Sequence, residues 1–140
     1  MSRTLGFELE NIACQYLLTQ NLTLISRNYA TKFGEIDLIM FDHDVLVFIE
    51  VRYRKNALYG YPIETITRSK SLKILNSALD FINRNNQYKN NQFRFDVIGI
   101  LGNIRQIRGD FNKNLFNSLT WHQNFTIEEY GYYNSDKSAF

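Results

Sequence analysis

The chain has 140 residues, of which 44% are hydrophobic, 15% aromatic and 21% charged, a length and composition that suit one domain with a sizeable core and exclude a disordered or collagen-like chain. One cysteine and two histidines exclude an intramolecular disulfide and a zinc site of the usual Cys/His kind, so any metal would be held mainly by oxygen ligands. The net charge of +2 conceals a division into net −4 over residues 1–51, +8 over 52–113 and −2 over 114–140, which suggests a phosphate-facing surface beside a carboxylate cluster.

Leu5, Leu9, Ile12, Ala13, Tyr16 and Leu17 recur at helical spacing behind Thr4 as N-cap, predicting a helix over residues 4–20. Leu22 to Tyr29 reads as a strand before the Gly34 turn. Glu35 to Phe41 and Val45 to Tyr53, separated by Asp42, His43 and Asp44, read as a β-hairpin. A loop follows to Pro62, and then a second helix from Thr65 or Thr67 to about Asn83, with Leu72, Leu75, Ala78, Leu79 and Ile82 on its apolar face and Lys70 and Lys73 opposite. The Asn-rich stretch to Asn91 is a connector. Phe93 to Leu101 and Ile104 to Arg108, joined by Gly102 and Asn103, read as a final pair of strands. Past Phe111 the signals fade, so the expected organisation is a single domain over residues 1–121 and a weakly structured tail over 122–140. The element order points to an α/β fold, a mixed sheet with helices packed against it. No apolar run approaches the ~20 residues of a membrane span, and charges in Met1 to Glu10 leave no readable secretory signal, so a reducing cytoplasmic location is expected.

Strand alternation places Glu35, Asp37, Ile39 and Phe41 on one face, and Leu46, Phe48, Glu50 and Arg52 on one face of the partner strand. A turn with an even number of residues pairs Phe41 with Leu46. Asp37 then lies opposite Glu50, with Cβ atoms roughly 4.5–5.5 Å apart, and Glu35 lies opposite Arg52. An odd turn would separate the two carboxylates. Facing like charges need compensation, and Mg²⁺, commonly held by one or two carboxylates while keeping waters and substrate phosphates, would supply it. Such an ion suits phosphodiester hydrolysis. The bland alternative is ordinary ion pairing, Asp37 with Arg27 or Lys32 and Glu50 with Arg52 or Arg54, and alternation by itself does not choose between the two.

Gly34-Glu35-Ile36-Asp37-Leu38-Ile39, Val47-Phe48-Ile49-Glu50-Val51-Arg52-Tyr53-Arg54, Ile66-Thr67-Arg68-Ser69-Lys70 and Arg94-Phe95-Asp96-Val97 occur in that order. Together with the helix Gly6 to Leu17 they resemble the YraN-like family of bacterial proteins over roughly residues 4 to 116. The resemblance implies a PD-(D/E)XK, restriction-endonuclease-like fold, a central mixed β-sheet flanked by helices, distantly similar to archaeal Holliday-junction resolvases. It implies Asp37 and Glu50 as metal-binding carboxylates, Glu10 as the helix carboxylate that completes the site, and the main-chain carbonyl of Val51 as a further ligand for Mg²⁺ or Mn²⁺. The superfamily pattern has Lys where this chain has Arg52. A guanidinium cannot accept a proton, so Arg52 is expected to position a water or clamp the scissile phosphate.

Arg54, Lys55, Tyr53, Tyr59 and Tyr61 interleave cations and rings after Glu50, and Lys70 and Lys73 lie on the second helix; these are the candidate nucleic-acid contacts. Glu35 is read as a partner for Arg52, the family motif makes Asp96 a structural salt-bridge partner for Arg94 or a helix cation, and His43, His122 and Cys14 are read as bystanders. The implied function is a metal-dependent endonuclease hydrolysing DNA, on branched structures by analogy with the resolvases. Those relatives act as dimers, so the resemblance also allows a homodimer. The competing expectations are a nucleic-acid-binding module without catalysis and a protein-interaction scaffold with a vestigial site.

Overall fold

The computed structural model describes residues 2–125. Helix α1 (Arg3–Thr19) starts one residue earlier than the sequence suggests, because Ser2, not Thr4, is the N-cap: its Oγ accepts from Leu5 N at 3.1 Å. Strands β1 (Thr23–Thr31), β2 (Gly34–Asp42) and β3 (Val45–Arg54) form an antiparallel meander. The β2–β3 turn holds two residues, His43 and Asp44, and Phe41 pairs with Leu46, the even register. A 3₁₀ turn (Pro62–Thr65) and helix α2 (Arg68–Arg84) then cross over to β4 (Phe93–Leu101), which runs parallel to β3. β5 (Leu119–His122) closes the sheet antiparallel to β4, giving the order β1-β2-β3-β4-β5.

Helices cover both faces of this mixed five-stranded sheet. On one side Leu9, Ile12 and Leu17 of α1 pack with Leu38, Met40, Val47, Ile49, Ile98 and Ile100. On the other, Ile74, Ala78 and Phe81 of α2 pack with Ile36, Ile39, Leu46, Phe48 and Val97. The central strands therefore read as near-continuous apolar runs, as strands buried on both faces must.

Two elements differ from the sequence reading. Ile104 to Arg108 belongs to a helix, α3 (Ile104–Asn112), and not to a strand: Asn103 caps it by accepting from Gln106 N at 2.7 Å, and Ile107 is buried on the α1 side with Ile104 and Phe111 against the same core. The apolar face of α2 is rotated by about one residue, with Ser71, Ile74, Ser77, Ala78 and Phe81 buried while Leu72 and Leu79 face solvent. Small serines let this helix sit close to the sheet, and Ser77 Oγ lies 3.0 Å from Thr31 Oγ1. Residues 122–125 complete β5 and bury Phe125, whereas the rest of the expected tail, 126–140, lies outside the described residues. No described helix is long and apolar enough to cross a membrane.

Candidate metal centre

The β2–β3 ladder runs from Asp42↔Val45 to Leu38↔Ile49 and stops there. The next residues on the two strands are Asp37 and Glu50. Strict alternation also fails at this point, because Ile36 and Leu38, two apart, join opposite cores. The slip frees the Asp37 carboxylate to take the place of a ladder carbonyl, and its Oδ2 accepts from Val51 N at 2.8 Å. On the β1 side the neighbouring backbone bends as well, with Asn28 at φ +52° between the pairs Arg27↔Leu38 and Tyr29↔Ile36.

A cleft of about 220 Å³ opens where the strands part, lined by Glu10 of α1, Asp37, Glu50, Val51, Arg52 and Tyr53 of the hairpin, and Lys70 from the first turn of α2. Glu50 is only 4% exposed. Its Oε1 lies 3.8 Å from Arg52 Nη1 and 4.0 Å from Lys70 Nζ, and its Oε2 is buried with no hydrogen-bond partner among the described residues. Glu10 Oε1 is likewise buried with no partner among the described residues. Burial and the Asp37 charge push the Glu50 carboxyl well above the usual range. The same two causes, burial first, push Glu10 up to about 7, against a hydrogen bond from Asn28 that lowers it. Glu35, on the outer side, brings a carboxylate oxygen within 4.8 Å of those of Glu10 and Asp37.

Crowded carboxylates with unpartnered buried oxygens are costly unless protonated or neutralised. The donor set here is all oxygen, and the cations nearest Glu50 stand at the far limit of ion pairing. These residues suit a hard divalent cation of the Mg²⁺ or Mn²⁺ kind: the mutually close carboxylates are Glu10, Glu35 and Asp37, and Glu50 lines the same cleft as Glu10 and Asp37.

Arg52 does not face Glu35 as simple alternation implies. Its Nε donates to Thr65 Oγ1 at 2.6 Å and its Nη2 to Thr65 O at 3.2 Å, which leaves Nη1 toward Glu50. Thr65 and Asn28 carry no sequence signal for the site, since each reaches it through backbone geometry that periodicity does not encode. Among the candidate nucleic-acid contacts, Lys70 enters the cleft. Lys55, Tyr59 and Lys73 are exposed outside it, and Arg54 is half-buried at the end of β3. Asp96 is the structural group expected of it: Arg94 Nε (3.0 Å), Trp121 Nε1 (2.9 Å) and Asn124 N (2.9 Å) all donate to it. Cys14 is buried and its thiol is pushed up by that burial.

A two-faced α/β sheet whose central hairpin parts around an acidic, all-oxygen cleft defines the class: an α/β protein with a carboxylate centre suited to a divalent ion. The chain belongs to the family described as "Uncharacterised protein family UPF0102", which matches residues 9–100. Its relatives include a "UPF0102 protein" of Coxiella burnetii (strain RSA 493 / Nine Mile phase I), 40% identical over 107 residues that cover 76% of this chain and 88% of the relative. Another, of Saccharophagus degradans (strain 2-40 / ATCC 43961 / DSM 17024), is 44% identical over 110 residues, covering 78% and 93%. A third, of Vibrio cholerae serotype O1 (strain M66-2), is 44% identical over 100 residues, covering 71% and 82%.

Proposed function

We propose that this protein is a Mg²⁺- or Mn²⁺-dependent endonuclease that hydrolyses DNA phosphodiester bonds, on branched or otherwise partly unpaired substrates. The observation that carries the reading is the convergence of Glu10, Asp37 and Glu50 on one cleft, with two carboxylate oxygens buried and unpartnered, facing Arg52 and Lys70. When bound, the ion would polarise the phosphodiester and lower the pKa of a water. The chain's own residues supply the rest. Asp37, Glu50 and Glu10 would hold the ion, which would offset their mutual repulsion. Arg52, braced on Thr65, presents Nη1 toward the cleft, where a guanidinium can grip a non-bridging phosphate oxygen. Lys70 adds a point charge from the opposite wall, and Arg54, Lys55, Tyr59 and Lys73 are available along the flanking surface for the nucleic-acid backbone and bases.

The test is cleavage of linear duplex, single strand, flap and four-way junction by the wild type and by Asp37→Ala, each with Mg²⁺ or Mn²⁺. Metal-dependent product from the wild type, and a loss of about a thousandfold or more in the variant, is expected. Cleavage undiminished by the substitution would overturn the assignment. Salt-sensitive binding without product would identify a non-catalytic nucleic-acid module.

A further inference from the structure

A second cavity, of about 450 Å³, lies on the α2 face of the sheet across the 3₁₀ turn from the carboxylate cleft, lined by Tyr61, Pro62, Gly99, Leu101, Thr120 and His122 among others. Its place in the sheet ties it to the cleft. Gly99 pairs with Arg52 on one side and Thr120 on the other, so with strands about 4.8 Å apart the floor of the cavity lies one to two strand spacings from Arg52. The 3₁₀ turn forms the partition: Pro62 at its start lines the cavity, and Thr65 at its end braces Arg52. Gly99 keeps the floor low. A Cβ there would meet Pro62 Cβ at 3.3 Å and His122 Nε2 at 3.9 Å.

The lining is apolar at its centre and polar at its margins, where the Glu64 carboxylate also lines it and accepts from Tyr61 N at 2.6 Å. Pro62, Leu101 and Gly99 give an apolar floor, Tyr61 stands 60% exposed at the rim, and His122 and Thr120 contribute polar atoms at one side. Burial lowers the His122 pKa, so its imidazole is neutral at pH 7 and offers one donor and one acceptor. Arg54, paired in register with the lining residue Leu101, carries a buried Nε with no partner among the described residues. A flat ring with apolar faces and a hydrogen-bonding edge, attached to an anionic backbone, satisfies this combination.

We propose that this cavity receives an unpaired nucleobase, so that the substrate is nucleic acid with a single-stranded or splayed nucleotide beside the phosphate held at the carboxylate cleft. The inference rests on the reading of that cleft as a phosphodiesterase site. Stacking on Tyr61 fixes the ring, His122 and Thr120 meet its edge, and base pairing excludes a nucleotide from the cavity.

The test is equilibrium binding in EDTA of an oligonucleotide carrying 2-aminopurine, single-stranded or annealed, to the full chain. Single strand is expected to bind with a fluorescence change that duplex does not give. Thr120→Trp, at an exposed edge-strand position, fills the cavity, and Tyr61→Ala removes the stacking wall. Each is expected to weaken single-strand binding about five- to tenfold while leaving duplex binding within about twofold. If Thr120→Trp lowers the melting temperature, Tyr61→Ala decides. Equal binding of single strand and duplex by the wild type, or variants that keep full single-strand affinity, would overturn the proposal. So would dissociation of a dimer by Thr120→Trp in size-exclusion chromatography, which would assign the cavity to a second copy. Metal-dependent cleavage with no cavity-dependent binding removes this inference and leaves the nuclease reading intact, whereas cavity-dependent binding with no cleavage does the reverse.

Discussion

Two buried carboxylates on adjacent parallel strands, Asp96 on β4 and Glu50 on β3, meet opposite fates. Asp96 is fully buried and receives hydrogen bonds from Arg94, Trp121 and the Asn124 backbone, and Arg94 in turn reaches Asp42 at 2.8 Å. Glu50 is almost as buried, but among the described residues its cations stand at 3.8 and 4.0 Å and one of its oxygens has no partner, and a second carboxylate, Asp37, lies beside it. The fold neutralises the first group completely and leaves the second in need of something from outside. Burial therefore does not separate a structural acid from a site acid, but saturation of its acceptor capacity does.

The sharpest way to break this comparison is to remove each group in turn. Asp96→Ala leaves Arg94 with Asp42 alone and takes the acceptor from Trp121 Nε1 and Asn124 N, and is expected to cost about 3 kcal/mol, read as a lower midpoint in urea unfolding. Glu50→Gln removes a repelled charge and is expected to leave the metal-free protein as stable as wild type or more so. Equal losses from the two would abolish the distinction. A divalent ion should restore the asymmetry from the other side. Mn²⁺ at a hundred times its Kd is expected to stabilise the wild type by about 2.7 kcal/mol, several degrees in melting temperature, and to leave Asp37→Ala where it was.

The contrast was only half visible in the sequence. The two-residue turn at His43-Asp44 sets the even register as far as Leu38↔Ile49, one residue short of Asp37 and Glu50, because the side-chain period of a strand propagates register from the turn along the hairpin. The family motif implies a structural Asp96 paired with Arg94 or a helix cation, and the structure chooses Arg94, two residues before it. Less legible was everything that depends on departures from ideal periodicity. The slip between Ile36 and Leu38 that turns Asp37 toward α1, and so gathers Glu35 and Glu10 around it, leaves no trace in an alternating pattern. Alternation puts Arg52 on the Glu50 side, whereas its brace, Thr65, lies across a loop. α3 reads as a strand because Ile104 to Arg108 is a short apolar run after the Gly102-Asn103 turn signal, although the i, i+3 spacing of Ile104 and Ile107 fits a helix, and the deciding feature is the Asn103 cap. The one-residue rotation of α2 had the same origin: buried serines on its sheet-facing side made the apolar stripe look displaced.

A smaller effect sharpens the comparison through pH. The Glu10 carboxyl, at about 7 in the folded chain against an ordinary 4.5, keeps its proton longer than in the unfolded chain. Between those values the folded state binds more protons, so metal-free stability is greatest below about pH 4.5 as far as this group is concerned, and declines as pH rises toward 7. The raised Glu50 acts in the same sense. Allowing for solvent screening at a partly exposed group, the Glu10 share of the decline is expected to be about 1 kcal/mol. Glu10→Gln should flatten it, and Mn²⁺ should cancel it by favouring the ionised carboxylates. A decline unchanged in the variant would separate Glu10 from the acidic cluster.

The smallest effect belongs to Glu8, one half-turn from Glu10 on the same helix. Arg108 of α3 grips its two oxygens at 2.7 and 3.0 Å on an exposed surface, and this holds its carboxyl below the usual range, the opposite direction from Glu10. Exposed pairs of this kind contribute little to stability, so Glu8→Gln is expected to move the melting temperature by no more than about one degree. It should also leave the Mn²⁺-induced shift unchanged. Loss of that shift in Glu8→Gln but not in Glu10→Gln would mean that the ion is held on the solvent side of α1, and not where the strands part.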